Sequence, residues 1–173
     1  PPLVQPTIAS LSLTISFAVL PLEIISPASI NNGIAKRAQL SMELKGTSPK
    51  TLKEYVVRDE AQRNQIQAWI NDKAIPHLLL SGAPGVGKTT LAKVLFQELE
   101  VSSYDILEIN ASRTNSVDDV RDKIVNFVQM IPFGDFKCVL LDEADYLSPS
   151  AQAALRGVME EYHTTARFIL TCN

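Results

Sequence analysis

The stretch "SGAPGVGKTT" (81–90) decides the fold, because it matches the pattern G-x-x-x-x-G-K-[ST] of a phosphate-binding loop. Its glycines permit backbone conformations that a Cβ would strain, so that successive N–H groups can converge on phosphate oxygens. The loop follows an apolar, strand-like run and precedes the helix-like run "LAKVLFQELE", which is the context that the pattern requires. We therefore predict that a nucleotide is bound by Gly82, Ala83, Pro84, Gly85, Val86, Gly87, Lys88, Thr89 and Thr90.

Two side chains of this loop have separate predicted tasks. Lys88 reaches the β- and γ-phosphates, and the hydroxyl of Thr89 is a ligand for Mg²⁺. The helix that follows directs its positive N-terminus at the same anion. The predicted cofactors are therefore ATP and Mg²⁺.

A second motif, "CVLLDEAD" (138–145), places acidic residues where an apolar strand ends. In an open parallel sheet that end faces the ligand crevice. We predict that Asp142 holds Mg²⁺ through water and that Glu143 orients and polarises an attacking water for hydrolysis of ATP. The alternative is that these carboxylates only end a strand and cap the next helix. For Asp145, helix entry is as plausible as chemistry.

Strands and helices alternate beyond residue 50, which predicts an α/β fold with a doubly wound parallel sheet covered by helices on both faces. The strands are predicted at 75–82, 104–110, 136–145 and 166–173, and the helices at 60–72 and 87–100, from Ser116, and from Ser148. Asp119 is the predicted capping-box partner of Ser116. The apolar stripe of this third helix comprises Val117, Val120, Ile124, Phe127, Val128 and Ile131.

Composition divides the 173 residues into two parts, with the boundary at about 45–50. Residues 1–45 are predicted to be an appendage of unknown role, strand-like or disordered, and residues 46–173 to be the ATPase domain. The apolar run 8–25 is the candidate targeting or membrane segment, but Pro21 and Glu23 interrupt it, so we expect no membrane partner. Within it, "LSLTISF" (11–17) alternates with the period of a strand.

The charges and cysteines narrow the class of protein further. A net charge of −3 excludes a dedicated polybasic protein but leaves room for a local basic face that contacts DNA. Cys138 and Cys172 each lie in an apolar, strand-like run, which favours buried, reduced thiols over a disulfide. We therefore expect a reducing compartment.

The segments "HLLLSGAPGVGKTTLAKVL", "EINAS" and "LLDEADYLSPSAQAALRGVMEEYHTTARFILTCN" resemble the small ATPase subunits of replication-factor-C-type sliding-clamp loaders, within the AAA+ superfamily. The resemblance covers about residues 49–173. It implies a P-loop ATPase domain that works in a pentameric ring with other clamp-loader subunits. The ring hydrolyses ATP, opens a sliding clamp and places it on primer–template DNA. It also implies the nucleus in a eukaryote and the cytoplasm otherwise.

The resemblance assigns roles to several further residues. Asn173 matches the sensor-1 residue that positions water near the γ-phosphate, and Val56 and Val57 would flank the adenine base. The residues predicted to couple the ATP site to DNA are Gln152, Arg156 and Arg121. Contacts of this kind would be to phosphates and independent of base sequence. For Arg121, a surface charge pair with Asp118 or Asp122 is an open alternative.

The chain also departs from the family pattern. Gly157 stands where a second arginine is common, and Gly46, Thr47 and Ser48 stand where Tyr-Arg is expected. Complete subunits continue into a strand with an arginine finger, a helical lid and a collar, so we expect weak ATP binding and very slow turnover by this chain alone. Two alternatives stay open: another AAA+ motor, for branch migration or protein remodelling, or a non-hydrolysing nucleotide-binding assembly module.

Overall fold

The computed structural model describes residues 17–22, 49–55, 57, 59–113 and 117–173. Within these residues, five parallel strands form one sheet in the order β1-β2-β5-β4-β3. The strands are β1 (Phe17–Leu22), β2 (His77–Gly82), β3 (Ile106–Asn110), β4 (Lys137–Asp142) and β5 (Ala166–Cys172). The α-helices of the described part of the chain are α1 (Glu60–Asn71), α2 (Lys88–Glu98), α3 (Val117–Val128) and α4 (Pro149–Glu161). The predicted α/β fold with a parallel sheet is confirmed.

The core has two halves because successive strand residues point to opposite faces of the sheet. Leu78 and Leu80 of β2 pack with buried residues of α1 and α2. Leu79, between them, belongs to a second buried cluster that includes residues of α3 and α4. The helices therefore cover both faces, as the continuous apolar strands predict.

Strand β1 comes from the segment assigned to the appendage and forms the edge of the sheet beside β2. Its register runs from Phe17 opposite His77 to Leu22 opposite Gly82. Pro21 lacks a backbone N–H, and an edge strand tolerates that loss. The predicted strand 11–17 meets β1 only at Phe17, and residues 11–16 lie outside the described part of the chain. The domain boundary at 45–50 stays a prediction.

No helix among the described residues combines the length and the apolar character that crossing a membrane requires.

Three local predictions are wrong. The strand predicted at 136–145 ends at Asp142, because Glu143 adopts a left-handed backbone and residues 144–146 form a 3-10 turn. Residues 103–105 form a 3-10 turn, so β3 begins at Ile106, and the Ser102 side chain accepts a hydrogen bond from the Tyr104 amide at the start of that turn. Helix α3 ends at Val128, and Ile131, predicted in its apolar stripe, is 89% exposed. Ile131 precedes a proline, and residues before proline are disfavoured in the helical conformation. The predicted Ser116 cap lies outside the described residues, and Asp119 is described only in its helical backbone.

A buried ion pair lies at the amino ends of β3 and β4. The phosphate loop lies at the opposite, carboxyl ends of the strands. Lys137 Nζ is 3.1 Å from Asp105 Oδ1, and both side chains are almost fully buried. The Asp105 carboxylate also accepts hydrogen bonds from the amides of Phe133 and Gly134, and Lys137 lies over the Phe127 ring. Burial raises the pKa of Asp105, but the bonds from Gly134, Phe133 and Lys137 outweigh it and hold that pKa below its ordinary value.

Candidate nucleotide site

A cavity of about 300 Å³ opens at the carboxyl ends of β2, β4 and β5. Ligands of open parallel sheets bind at this edge, outside the ends of the strands. The cavity brings the phosphate loop, the acidic strand end and the predicted sensor-1 residue, Asn173, together. Its lining consists of Pro84, Gly85, Gly87, Lys88, Thr89, Thr90, Asp142, Glu143, Thr171, Cys172 and Asn173.

Gly87 shapes the loop at the start of α2. Its φ of 93° lies in the left-handed region, which a residue with a Cβ adopts only with strain. Tyr55 packs against it and donates a hydrogen bond from its hydroxyl to the Gly87 carbonyl at 3.2 Å. A Cβ on Gly87 would lie 3.2 Å from the Tyr55 ring, so the backbone favours glycine here and the ring would have to shift by a few tenths of an ångström to admit a larger residue.

Gly87→Ala is expected to lower the free energy of unfolding by about 1–3 kcal/mol, because alanine is strained in this conformation. Gly157→Ala is the matched control. Gly157 lies within α4, nothing lies within 4 Å of an added Cβ, and alanine there should raise stability by about 0.5–1 kcal/mol. Urea unfolding of both variants measures the difference, and shifts of the same sign would contradict this account of Gly87.

Lys88 connects the phosphate loop to the end of β5. It is the first residue of α2, and its ammonium group donates hydrogen bonds to the carbonyls of Gly82 and Ala83 at 2.6 and 3.0 Å. A third bond, 2.8 Å long, goes to Oδ1 of Asn173. The structure therefore places the predicted phosphate-binding lysine and the predicted sensor-1 residue in direct contact.

The predicted metal ligands also meet. Thr89 Oγ1 donates a hydrogen bond to Asp142 Oδ1 at 2.7 Å, at the wall of the cavity. Mg²⁺ takes oxygen ligands and keeps several of its waters, so one hydroxyl and one carboxylate beside the phosphate loop suit it. These two residues fit the group that the sequence predicts.

Glu143 follows β4 with a left-handed backbone, at φ 56° and ψ 45°. Non-glycine residues in this conformation are uncommon and cluster at active sites. Its amide donates a hydrogen bond to Thr171 Oγ1 at 2.9 Å, and its carbonyl accepts one from the Tyr146 amide. The backbone of this predicted catalytic residue is thus held on both sides.

Two residues at the site, Thr171 and Tyr55, are missed by sequence reasoning. Tyr55 belongs to the segment 49–55, which precedes α2 in the sequence and lies alongside it in the fold. Near the other end of that helix, the Leu52 amide donates to Glu98 Oε1 at 2.8 Å. Burial raises the pKa of Tyr55 to about 12, so its hydroxyl stays protonated and can donate to Gly87. Only the apolar neighbours of Tyr55 in the sequence could have indicated its burial.

The remaining predicted residues lie apart from the lining of the cavity. Gln152 is buried in α4, where its Nε2 donates to the Leu147 carbonyl, and Arg156 is half-buried one turn later. Arg121 is exposed on α3. Val57 packs against the buried cluster of α1 and α2, and Val56 lies outside the described residues. Their contacts to DNA and to the base stay predictions.

Both cysteines are free and buried, as expected from the sequence. Cys172 lies at the wall of the cavity, and burial raises its pKa above the ordinary value, with a further increase from Asp145 and an opposing effect of Lys88. Burial raises the pKa of Cys138 to about 12. Both side chains therefore remain neutral thiols near pH 7.

Comparison with known proteins supports the family resemblance found in the sequence. The chain is 45% identical over 129 residues to the replication factor C small subunit of Archaeoglobus fulgidus. The aligned region covers 72% of this chain and 40% of that protein. It is 46% identical over 113 residues to the subunit of the same name from Sulfurisphaera tokodaii. That aligned region covers 63% of this chain and 35% of that protein. The resemblance stated from the sequence is confirmed, and the chain spans about 40% of the length of the relatives it matches.

Solved structures support the fold alone, because their identities are low. RuvB from Thermotoga maritima superposes with a TM-score of 0.57 at 20% identity, covering 72% of this chain and 41% of that one. PCH-2 from C. elegans gives a TM-score of 0.51 at 22% identity, with the same coverage. The profile of one family, the ATPase family associated with various cellular activities (AAA), matches residues 78–173. The phosphate loop, the acidic strand end and the predicted sensor-1 asparagine all lie within that match, and the chain belongs to the AAA family.

Proposed function

We propose that this chain is the ATP-hydrolysing part of a sliding-clamp loader subunit, which helps to open the clamp and place it on primer–template DNA. One observation carries the hydrolytic part of the proposal: Lys88 contacts both the phosphate loop and Asn173, while Thr89 contacts Asp142 beside the same cavity. The identity of 41–46% to replication factor C small subunits supports the clamp-loading part.

Each side chain then has a defined task. The triphosphate lies on the backbone N–H groups at the start of α2 and beside the Lys88 ammonium. Thr89 and Asp142 would hold Mg²⁺, which would supply positive charge to the phosphate oxygens. Glu143 orients the attacking water and accepts its proton, and the Asn173 amide donates a hydrogen bond that keeps the water near the γ-phosphate.

The partners are proposed from the same similarity. They are other clamp-loader subunits in a pentameric ring, a sliding clamp, and primer–template DNA. Contacts from Arg121 and Arg156 would be to phosphates, so binding to DNA should depend on salt and not on base sequence. The free, buried thiols fit a reducing compartment, the nucleus in a eukaryote and the cytoplasm otherwise.

The test is ATP turnover by the full chain, alone and with a sliding clamp and primed DNA. We expect the two together to stimulate turnover more than either one alone. Lys88→Ala should remove the stimulation and weaken nucleotide affinity roughly tenfold to hundredfold, since hydrogen bonds to charged groups contribute about 1.5–3 kcal/mol.

Lys93→Ala is the matched control for Lys88→Ala. Lys93 lies on the same helix, is about half exposed and pairs with Glu108 at 2.9 Å, and an exposed pair of this kind contributes little. Unchanged nucleotide affinity in Lys88→Ala would refute the phosphate-loop assignment. Nucleotide binding without turnover under every condition would instead favour the non-hydrolysing module.

A further inference from the structure

We propose that Thr171 is a positioning residue for ATP hydrolysis, because its buried hydroxyl holds both acidic residues of the site at once. The inference rests on the proposed hydrolytic function. Thr171 does not belong to either sequence motif of the nucleotide site. It lies in β5, and its side chain is buried at the wall of the cavity.

The sheet order brings Thr171 to this place. Strand β5 lies between β2, which leads into the phosphate loop, and β4, which ends in the acidic residues. Thr171 pairs with Leu80 of β2, and its neighbour Leu170 pairs with Leu141 of β4. A hydroxyl at this position of the central strand can therefore reach the residues that follow β4.

The hydroxyl makes two hydrogen bonds whose directions are fixed. The Glu143 amide can only donate, so Thr171 Oγ1 accepts from it at 2.9 Å. The single hydroxyl hydrogen then goes to Asp142 Oδ1 at 2.7 Å, a charge-assisted bond. One threonine thus satisfies a backbone donor and a carboxylate acceptor of adjacent residues.

The two contacts differ in how replaceable they are. Asp142 Oδ1 also accepts a hydrogen bond from Thr89, so it keeps one hydroxyl partner without Thr171. The Glu143 amide has Thr171 as its acceptor, and a left-handed non-glycine backbone persists only when its surroundings hold it there. Loss of the hydroxyl should therefore displace Glu143 more than Asp142, and should affect hydrolysis more than binding.

The experiment compares Thr171→Val with Thr171→Ser in the full chain. Valine has the shape of threonine without the hydroxyl, whereas serine retains the hydroxyl. We expect Thr171→Val to lower kcat roughly tenfold to hundredfold, because Glu143 loses the partner that fixes its backbone, with nucleotide Kd within about threefold. Thr171→Ser should restore most of kcat. Equal losses in the two variants, or no loss in the valine variant, would overturn the proposal.

A second measurement separates this inference from the proposed function. Hydrogen exchange of the Glu143 amide, followed by NMR, does not depend on turnover, and it should be roughly tenfold faster in Thr171→Val than in Thr171→Ser. Absence of turnover in the unmodified chain under every condition, including the presence of a sliding clamp and primed DNA, would refute the proposed function. Unchanged Glu143 exchange would refute the role of Thr171. If Thr171→Val does not fold, Thr171→Ala replaces it in the same comparison.

Discussion

Glu143→Gln is expected to lower the rate of ATP hydrolysis by about a hundredfold to ten-thousandfold, the range that general base catalysis contributes. The substitution keeps the size of the side chain and removes the carboxylate that, in the proposed mechanism, accepts a proton from the attacking water. The hydrogen bond from the Glu143 amide to Thr171 is unaffected, because it comes from the backbone. The backbone geometry should therefore survive while the chemistry is lost.

Nucleotide affinity distinguishes this effect from general damage. In the proposed site Lys88 and Thr89 hold the phosphates and the metal, so the Kd of ATP in Glu143→Gln should stay within about threefold of the unmodified chain. Glu160→Gln, on the exposed face of α4, makes the same chemical change away from the cavity and should leave both quantities unchanged. Turnover retained by Glu143→Gln would show that another group orients the water, and the nearby Asp145 would be the next residue to substitute.

Asp105→Ala is expected to lower the free energy of unfolding by about 3–5 kcal/mol, the cost of leaving a buried charge without its partner. The variant leaves the ammonium of Lys137 without its carboxylate and the amides of Phe133 and Gly134 without their acceptor. Urea unfolding measures the loss. Nucleotide affinity of the folded fraction should not change, because the pair lies at the opposite edge of the sheet from the cavity.

An exposed ion pair provides the control. Glu100 pairs with Lys73 at 3.0 Å, and both side chains are more than half exposed, so Glu100→Ala should cost no more than about 1 kcal/mol. The Asp105 effect should also depend on pH. Because the pKa of Asp105 is lower in the folded protein, its carboxylate stabilises the fold at neutral pH, and this contribution is lost as the pH falls through the folded value. A loss in Asp105→Ala no larger than in Glu100→Ala would contradict the role of the buried pair.

The parts of the site that can be predicted from the sequence are contiguous motifs. Lys88 and Thr89 lie within one loop of ten residues, and each residue type there has a physical task that can be stated without the fold. Asp142 can be predicted as a site residue because an apolar, strand-like run ends in its carboxylate. Thr171 and Tyr55 act on residues 28 and 32 positions away in the chain, and those contacts depend on which elements lie side by side. The alternation of strands and helices along the chain does not reveal the order in which the strands lie in the sheet.

The errors in the fold prediction have a similar origin. A helical period continues through Ile131, but the proline after it favours an extended backbone, and α3 ends three residues earlier. The run "YDILEIN" predicts a strand from residue 104, but β3 begins two residues later, at Ile106. The turn of Tyr104 and Asp105 is stabilised by the Ser102 cap and by the buried contact of Asp105 with Lys137, 32 residues away. Local propensity gives way to these tertiary contacts.

The position of β2 between β1 and β5 has a consequence for the order in which the protein folds. Phe17 and His77 are 60 positions apart, and Leu78 and Ile169 are 91 apart, so both neighbours of the strand that leads into the phosphate loop are distant in sequence. Long-range parallel pairing forms slowly, since loop-closure entropy opposes it until the contacts are made. During synthesis, β5 with Thr171 and Asn173 leaves the ribosome long after the phosphate loop. The loop is thus translated early, but it acquires its partners from β5 only when that strand docks.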